Sequence, residues 1–157
     1  MRTQRQEEAL EFIRSNPKMF VGDNPPTEAL LTKYLLEGVL LLTENQVVTC
    51  RRDGWRIIAA EDDWLTLGRH QSERSVFLDV VQFPELGVNC CRPEVAMAAF
   101  AQDVVTASDE GWTNIQGAPM DAEMMARLRD ELPRWRRLVA FRMSKPLVSL
   151  KHPEVLI

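Results

Sequence analysis

Few side chains in this sequence combine the type and the spacing that chemistry needs. The densest group is the basic run Arg134-Trp135-Arg136-Arg137. Arginines with an interleaved aromatic can neutralise phosphates and stack on single-stranded bases, so the run is a candidate nucleic-acid or partner patch. A solvated edge between a helix and a strand is the plainer reading, and the net charge of −4 favours it over a nucleic-acid partner. Asp62 and Asp63 follow a strand-like run and are candidate ligand-binding acids; the alternative is an ordinary acidic loop. Glu37 is the lone acid in the middle of an apolar helical run. It could act as a general base, or as a pocket or interface acid with a local hydrogen-bond partner, because an unpaired buried carboxylate is costly. Cys90 and Cys91 are adjacent, whereas metal ligation needs intervening residues and a second Cys/His cluster. They read as packing or solvent-facing thiols, and no metal site is expected. His70 and His152 stand alone, with no neighbour suggesting a triad or a ligand pair. No nucleophile elbow, phosphate-binding Walker loop or dinucleotide fingerprint is present.

The elements that must position these residues follow from periodicity. Residues 4–15 form an amphipathic helix, with Ala9, Leu10 and Ile13 at helical spacing and Glu7 and Glu8 where the dipole favours acids. Asn16-Pro17 ends it. Pro25-Pro26-Thr27 opens a second helix over about 27–43. Its leucines surround nearly the whole circumference, which predicts a helix buried in the core. Val47–Cys50 and Trp55–Ala59 flank Asp53-Gly54, a strong hairpin signal. Residues 72–82 lean towards helix. Pro93 opens a helix to about Gln102, and Val104–Ser108 and Trp112–Ile115 form another hairpin. Asp121 caps a helix to about Leu132, and Arg137–Met143 is a late strand. The tail from Ser144 is expected to be irregular. Hairpins and flanking helices together predict an α+β fold: a two-layer sandwich of helices on a mixed, mainly antiparallel sheet.

Composition sets the outer bounds. The chain has 157 residues, 45% apolar and 27% charged, values of an ordinary folded domain, and residues 1–157 are expected to form one. Three cysteines, two of them adjacent, make a poor disulfide framework and suggest a reducing compartment. The opening residues lack an apolar run of signal-peptide length, and Leu35–Leu42 is too short to span a bilayer. A cytoplasmic location without membrane association is expected.

One stretch resembles a known family. Phe12-Ile13-Arg14-Ser15-Asn16-Pro17-Lys18-Met19-Phe20-Val21-Gly22-Asp23 is similar to the "VRKRPGMYIGD" segment that opens the ATPase domain of gyrase B, the ATP-binding component of DNA gyrase. Arg14, Pro17, Met19 and Gly22 fall in matching places. The order that follows is also similar: a greasy helix, a hairpin, the Glu61-Asp62-Asp63-Trp64 turn, then Gly87–Ala99 entering a helix before Val104-Val105. The resemblance is strongest over 8–65 and weaker to 116; residues 117–157, a helix, a strand and a tail, lie beyond it. It implies the GHKL, or Bergerat-type, sandwich of helices on a sheet.

The resemblance also implies specific site residues, and here the chain departs from it. The family places a catalytic Glu and, four residues on, a magnesium-holding Asn on the buried helix. Here the acid is Glu37 and its follower is Leu41; if the register puts Leu36 or Tyr34 in the acid's place, the metal ligand is still missing. Phosphoryl transfer depends on the metal, so ATP and magnesium are disfavoured as cofactors. The family's Asp-x-Gly-x-Gly turn keeps an acid in Asp62 or Asp63, but Trp64 and Thr66 replace glycines that let the backbone approach a nucleotide. No glycine lies between Gly87 and Gly111 to form a phosphate cradle. The expectation is a non-catalytic GHKL-like domain that acts as a protein-interaction or regulatory module, with another protein or itself as partner. The alternative is a nucleotide or small-ligand sensor without turnover, and the more distant one a weak ATPase using Glu37.

Overall fold

The computed structural model of the chain describes residues 2–66 and 72–144. His70 and His152, and nearly all of the tail, lie outside the described residues. Helix α1 spans Gln4–Ser15 and α2 spans Pro17–Val21. Thr3 caps α1 through a capping box with Gln6, which satisfies two otherwise orphaned donors. Helix α3 spans Glu28–Leu42, with Thr27 accepting from the Leu30 amide at its start. Strands β1 (Val47–Arg52) and β2 (Trp55–Ala60) follow. Their turn needs two left-handed residues, supplied by Asp53 at φ 51° and Gly54 at φ 85°.

Helix α4 spans Glu73–Leu78 and α5 spans Glu94–Phe100. The helix expected over 72–82 therefore stops at Leu78, and the chain crosses to α5 through a loop held by a bridge between Gln82 and Cys91. Strands β3 (Asp103–Ser108) and β4 (Gly111–Gln116) form the second hairpin. Helix α6 spans Ala122–Glu131, capped by Asp121, and β5 spans Arg137–Arg142.

The strands form one sheet in the order β1-β2-β5-β3-β4, antiparallel at every pairing. The chain thus makes the expected α+β sandwich, and its sheet is antiparallel rather than mixed. Because side chains alternate across a strand, the sheet has two apolar faces. Ile58, Ala60, Val104, Val139 and Phe141 pack with Leu10, Ile13, Leu31 and Leu35 from α1 and α3, and with Val76, Phe77 and Met97 from α4 and α5. Ile57, Ala59, Val105, Ala107, Leu138 and Ala140 pack with Met124 and Leu128 of α6 and with Trp135. Helices therefore cover both faces, α1 to α5 on one and α6 on the other.

Helix α3 departs from the expectation of a helix buried all round. Leu31, Thr32, Leu35, Gly38 and Val39 are buried, while Leu40 is 60% and Leu41 49% exposed. Its inner side approaches α5 unusually closely at Gly38. A Cβ there would lie 2.8 Å from Pro93 Cγ and 3.3 Å from the Phe83 ring. No helix of the described residues is long and apolar enough to cross a membrane.

Candidate functional site

The turn after β2, the inner side of α3 and the start of α5 converge on one interior cluster. Trp64 is 1% exposed and its indole Nε1 donates to Glu94 Oε2 at 3.0 Å. Arg92, 0% exposed, grips the same carboxylate twice, Nε to Oε1 at 3.1 Å and Nη2 to Oε2 at 2.9 Å. The guanidinium lies 5.5 Å from the centre of the Phe83 ring, within the range of a cation–π contact. Its Nη1 is buried without a hydrogen-bond partner among the described residues. A bidentate arginine–carboxylate pair has the geometry that best offsets the desolvation of two buried charges. Nothing in the sequence flagged this trio. Trp64 and Glu94 are 30 positions apart, and only folding brings them into contact.

The two candidate ligand acids are both engaged within the protein. Asp62 accepts from the Asn45 side chain at 2.8 Å and from the Glu44 amide at 3.1 Å. The Asn45 bond, then the Glu44 amide, hold its carboxyl below the usual 3.8. Asp63 accepts from Arg137 Nε at 2.9 Å and Nη2 at 3.0 Å, and from the Thr66 hydroxyl at 3.0 Å. Burial alone would raise its carboxyl, but the Arg137 bonds and charge, with Thr66, bring it below 3.8. Both carboxylates stabilise the turn that carries Trp64.

The basic run is divided between the interior and solvent. Trp135 is 4% exposed, donates to the Leu128 carbonyl at 3.3 Å and meets Trp112 edge-to-face at 6.2 Å. The Arg129 guanidinium stands 3.7 Å from its ring centre. Its faces are therefore taken up internally, and it offers no platform for a base. Arg137 is also buried, bonded to Asp63, to Glu73 and to Thr106 Oγ1 at 3.1 Å. It stands beside a polar cleft of about 560 Å³ between α4 and the β3–β4 turn. The side chains of Arg134 and Arg136 point to solvent and make no ion pair or hydrogen bond among the described residues. They share a pocket of about 400 Å³ with Asn45, Glu61 and Asp62. The acids of that pocket oppose binding of a polyanion.

Glu37 is exposed. With Lys33, Tyr34, Leu30, Phe20 and Val21 it lines a groove of about 270 Å³ between α2 and α3. Leu41, four residues on, shares this outward side. Tyr34, one of the three residues considered for the family's catalytic acid, lies near the segment entering α5. Burial, then the neighbouring Cys91, Cys90, Glu37 and Glu94, push its phenol up to about 12. Cys90 and Cys91 are half-buried free thiols, and burial raises the Cys91 thiol. Among the described residues no group of three or more His, Cys, Asp and Glu is placed to hold a metal ion.

Fold and site together define an antiparallel α+β sandwich whose interior at the turn–helix junction is filled by its own charged and aromatic side chains. No protein-family model matches the chain, no curated protein matches it in sequence, and no solved structure matches it in fold.

Proposed function

We propose that this chain is a degenerate GHKL-like domain, similar to that of gyrase B, which acts by binding another macromolecule and does not turn over ATP. One observation carries the reading. The elements to which the resemblance assigns the nucleotide are α3, the turn after β2 and the segment entering α5, and they close on one another around Trp64, Arg92 and Glu94. Each of these side chains is at most 1% exposed. By the resemblance, Trp64 takes the place of a family glycine, and the Arg92–Glu94 pair falls in the segment matched to the phosphate-binding lid. A nucleotide would have to displace all three and strip a buried charge pair of its partner, which is costly. Glu37 and Leu41 face outward from α3, so neither a general base nor a metal ligand points into this interior.

Support for a binding role comes from the surface. Phe12, Met19, Leu40 and Leu41 are all about half exposed or more, and large apolar groups left in water mark partner sites when they cluster.

Isothermal calorimetry with ATP and ADP, with and without magnesium, tests the proposal. No heat of binding and no thermal shift are expected at millimolar nucleotide. Saturable binding that disappears in Asp62→Ala or Asp63→Ala would instead support the sensor. ATP turnover lost in Glu37→Ala would support an ATPase.

A further inference from the structure

The outward side of α3 carries an unusual pattern. Ala29, Lys33, Glu37, Leu40 and Leu41 are exposed, and Leu30 is half-buried. Residues three and four apart lie on one side of a helix, so these six form a single stripe with Lys33 and Glu37 at its centre. The two charges are i,i+4 neighbours, yet neither makes an ion pair or hydrogen bond among the described residues. Lys preceding Glu is the weaker order for such a pair within one helix, so both charges remain available to a partner.

The stripe is complementary to itself. If a second copy of α3 lies antiparallel across it, with the two-fold axis midway between Lys33 and Glu37, Lys33 falls opposite the second copy's Glu37 and Glu37 opposite its Lys33. In the same register Leu30 meets the second copy's Leu40, and Ala29 meets its Leu41. Apolar residues face apolar ones, and each charge faces its opposite, as an isologous interface requires. The groove of about 270 Å³ between α2 and α3, walled by Phe20, Val21 and Leu30, lies where the second copy's Leu40 would enter.

We propose that the chain self-associates through α3 as a two-fold antiparallel helix pair, with the Lys33–Glu37 charges setting the register. This rests on the proposed binding role and names its partner. Helix α3 has 15 residues and is about 22 Å long and about 10 Å across, so one helix pair alone buries less than the roughly 1,200–2,000 Å² of stable interfaces. The dimer is therefore concentration-dependent, and salt weakens it by screening the central charges.

The test is sedimentation of the full chain over a concentration series, with Lys33→Glu, Glu37→Lys and their equimolar mixture. Each single variant sets like charges against each other in its homodimer and should weaken association about tenfold or more. In the mixture, the Lys33→Glu chain meets the Glu37→Lys chain with opposite charges at both positions, so association should return to the wild-type level. Misfolding would not be rescued by mixing, and circular dichroism of each variant checks the fold directly. Leu40→Glu should leave a folded monomer. A wild-type chain that stays monomeric throughout the series overturns the proposal, as do single variants that associate like wild type or a mixture that gains nothing. None of these outcomes bears on the filled nucleotide position, which calorimetry tests alone.

Discussion

Replacing Glu94 with alanine should be among the most damaging single changes available to this fold. The carboxylate holds two guanidinium bonds, at 3.1 and 2.9 Å, and the Trp64 indole at 3.0 Å. Without it the Arg92 guanidinium keeps a 3.5 Å approach to the Trp64 carbonyl and its contact with the Phe83 ring, and a second nitrogen joins Nη1 in lacking a hydrogen-bond partner. Stripping one member from a buried pair costs about 3–5 kcal/mol. With a urea slope of about 2 kcal/mol/M, the unfolding midpoint should fall by about 2 M. The double variant Arg92→Met/Glu94→Leu removes both charges and keeps the volume, so its stability should lie within about 1 kcal/mol of wild type or above it. Tryptophan fluorescence in urea reads all members of the cycle, and the non-additivity of the single changes measures the coupling. A midpoint shift under about 0.5 M for Glu94→Ala would refute the reasoning. So would a double variant as unstable as the single, because either result means the pair is hydrated rather than sealed in the interior.

Tyr34 is the one tyrosine of the chain, so absorbance titration reports it alone. Its raised pKa contributes stability that is present below pH 10.0 and lost as pH climbs towards about 12. At about pH 11 only about a tenth of the phenolate absorbance should have developed while the far-ultraviolet spectrum is native, and ionisation near the ordinary value would contradict the burial described. Asp63, lowered by Arg137 against the opposing effect of burial, contributes stability above 3.8 that is lost as pH falls through its depressed pKa. Asp63→Asn should therefore flatten the dependence of stability on pH in the acid range; an unchanged slope would show that the Arg137 contact carries no net energy. Gly38→Ala should destabilise the fold even though alanine favours helices by about 1 kcal/mol, because overpacking against Pro93 and Phe83 costs about 1–3 kcal/mol. Thermal melts would show the sign.

Much of the secondary structure was legible locally. Thr3, Thr27 and Asp121 cap helices within one or two residues of where periodicity places them, and Asp53-Gly54 fixes the first hairpin. Helix α2 escaped notice because five residues after a proline carry no period. Alternation does not account for the basic run: Trp135 joins the core on the α6 face, whereas Arg137, paired with Ala60, belongs to the opposite face of the sheet, and Arg134 and Arg136 are left in solvent. What could not be read was which pair enters the protein, since arginine beside tryptophan suggests a surface.

The sequence by itself determined most of the elements, their order and the α+β class, because caps, turns and hydrophobic period act over a few residues. Tertiary structure alone decided that both faces of the sheet are covered, with α6 set apart from the other helices. It also decided that α3 turns two leucines and a charge pair outward, and that Trp64, Arg92 and Glu94 close the interior. The reason is range: a helix rich in leucine on every side does not state which side meets the sheet. An arginine beside a proline likewise does not reveal that a tryptophan 28 residues earlier will share its glutamate partner.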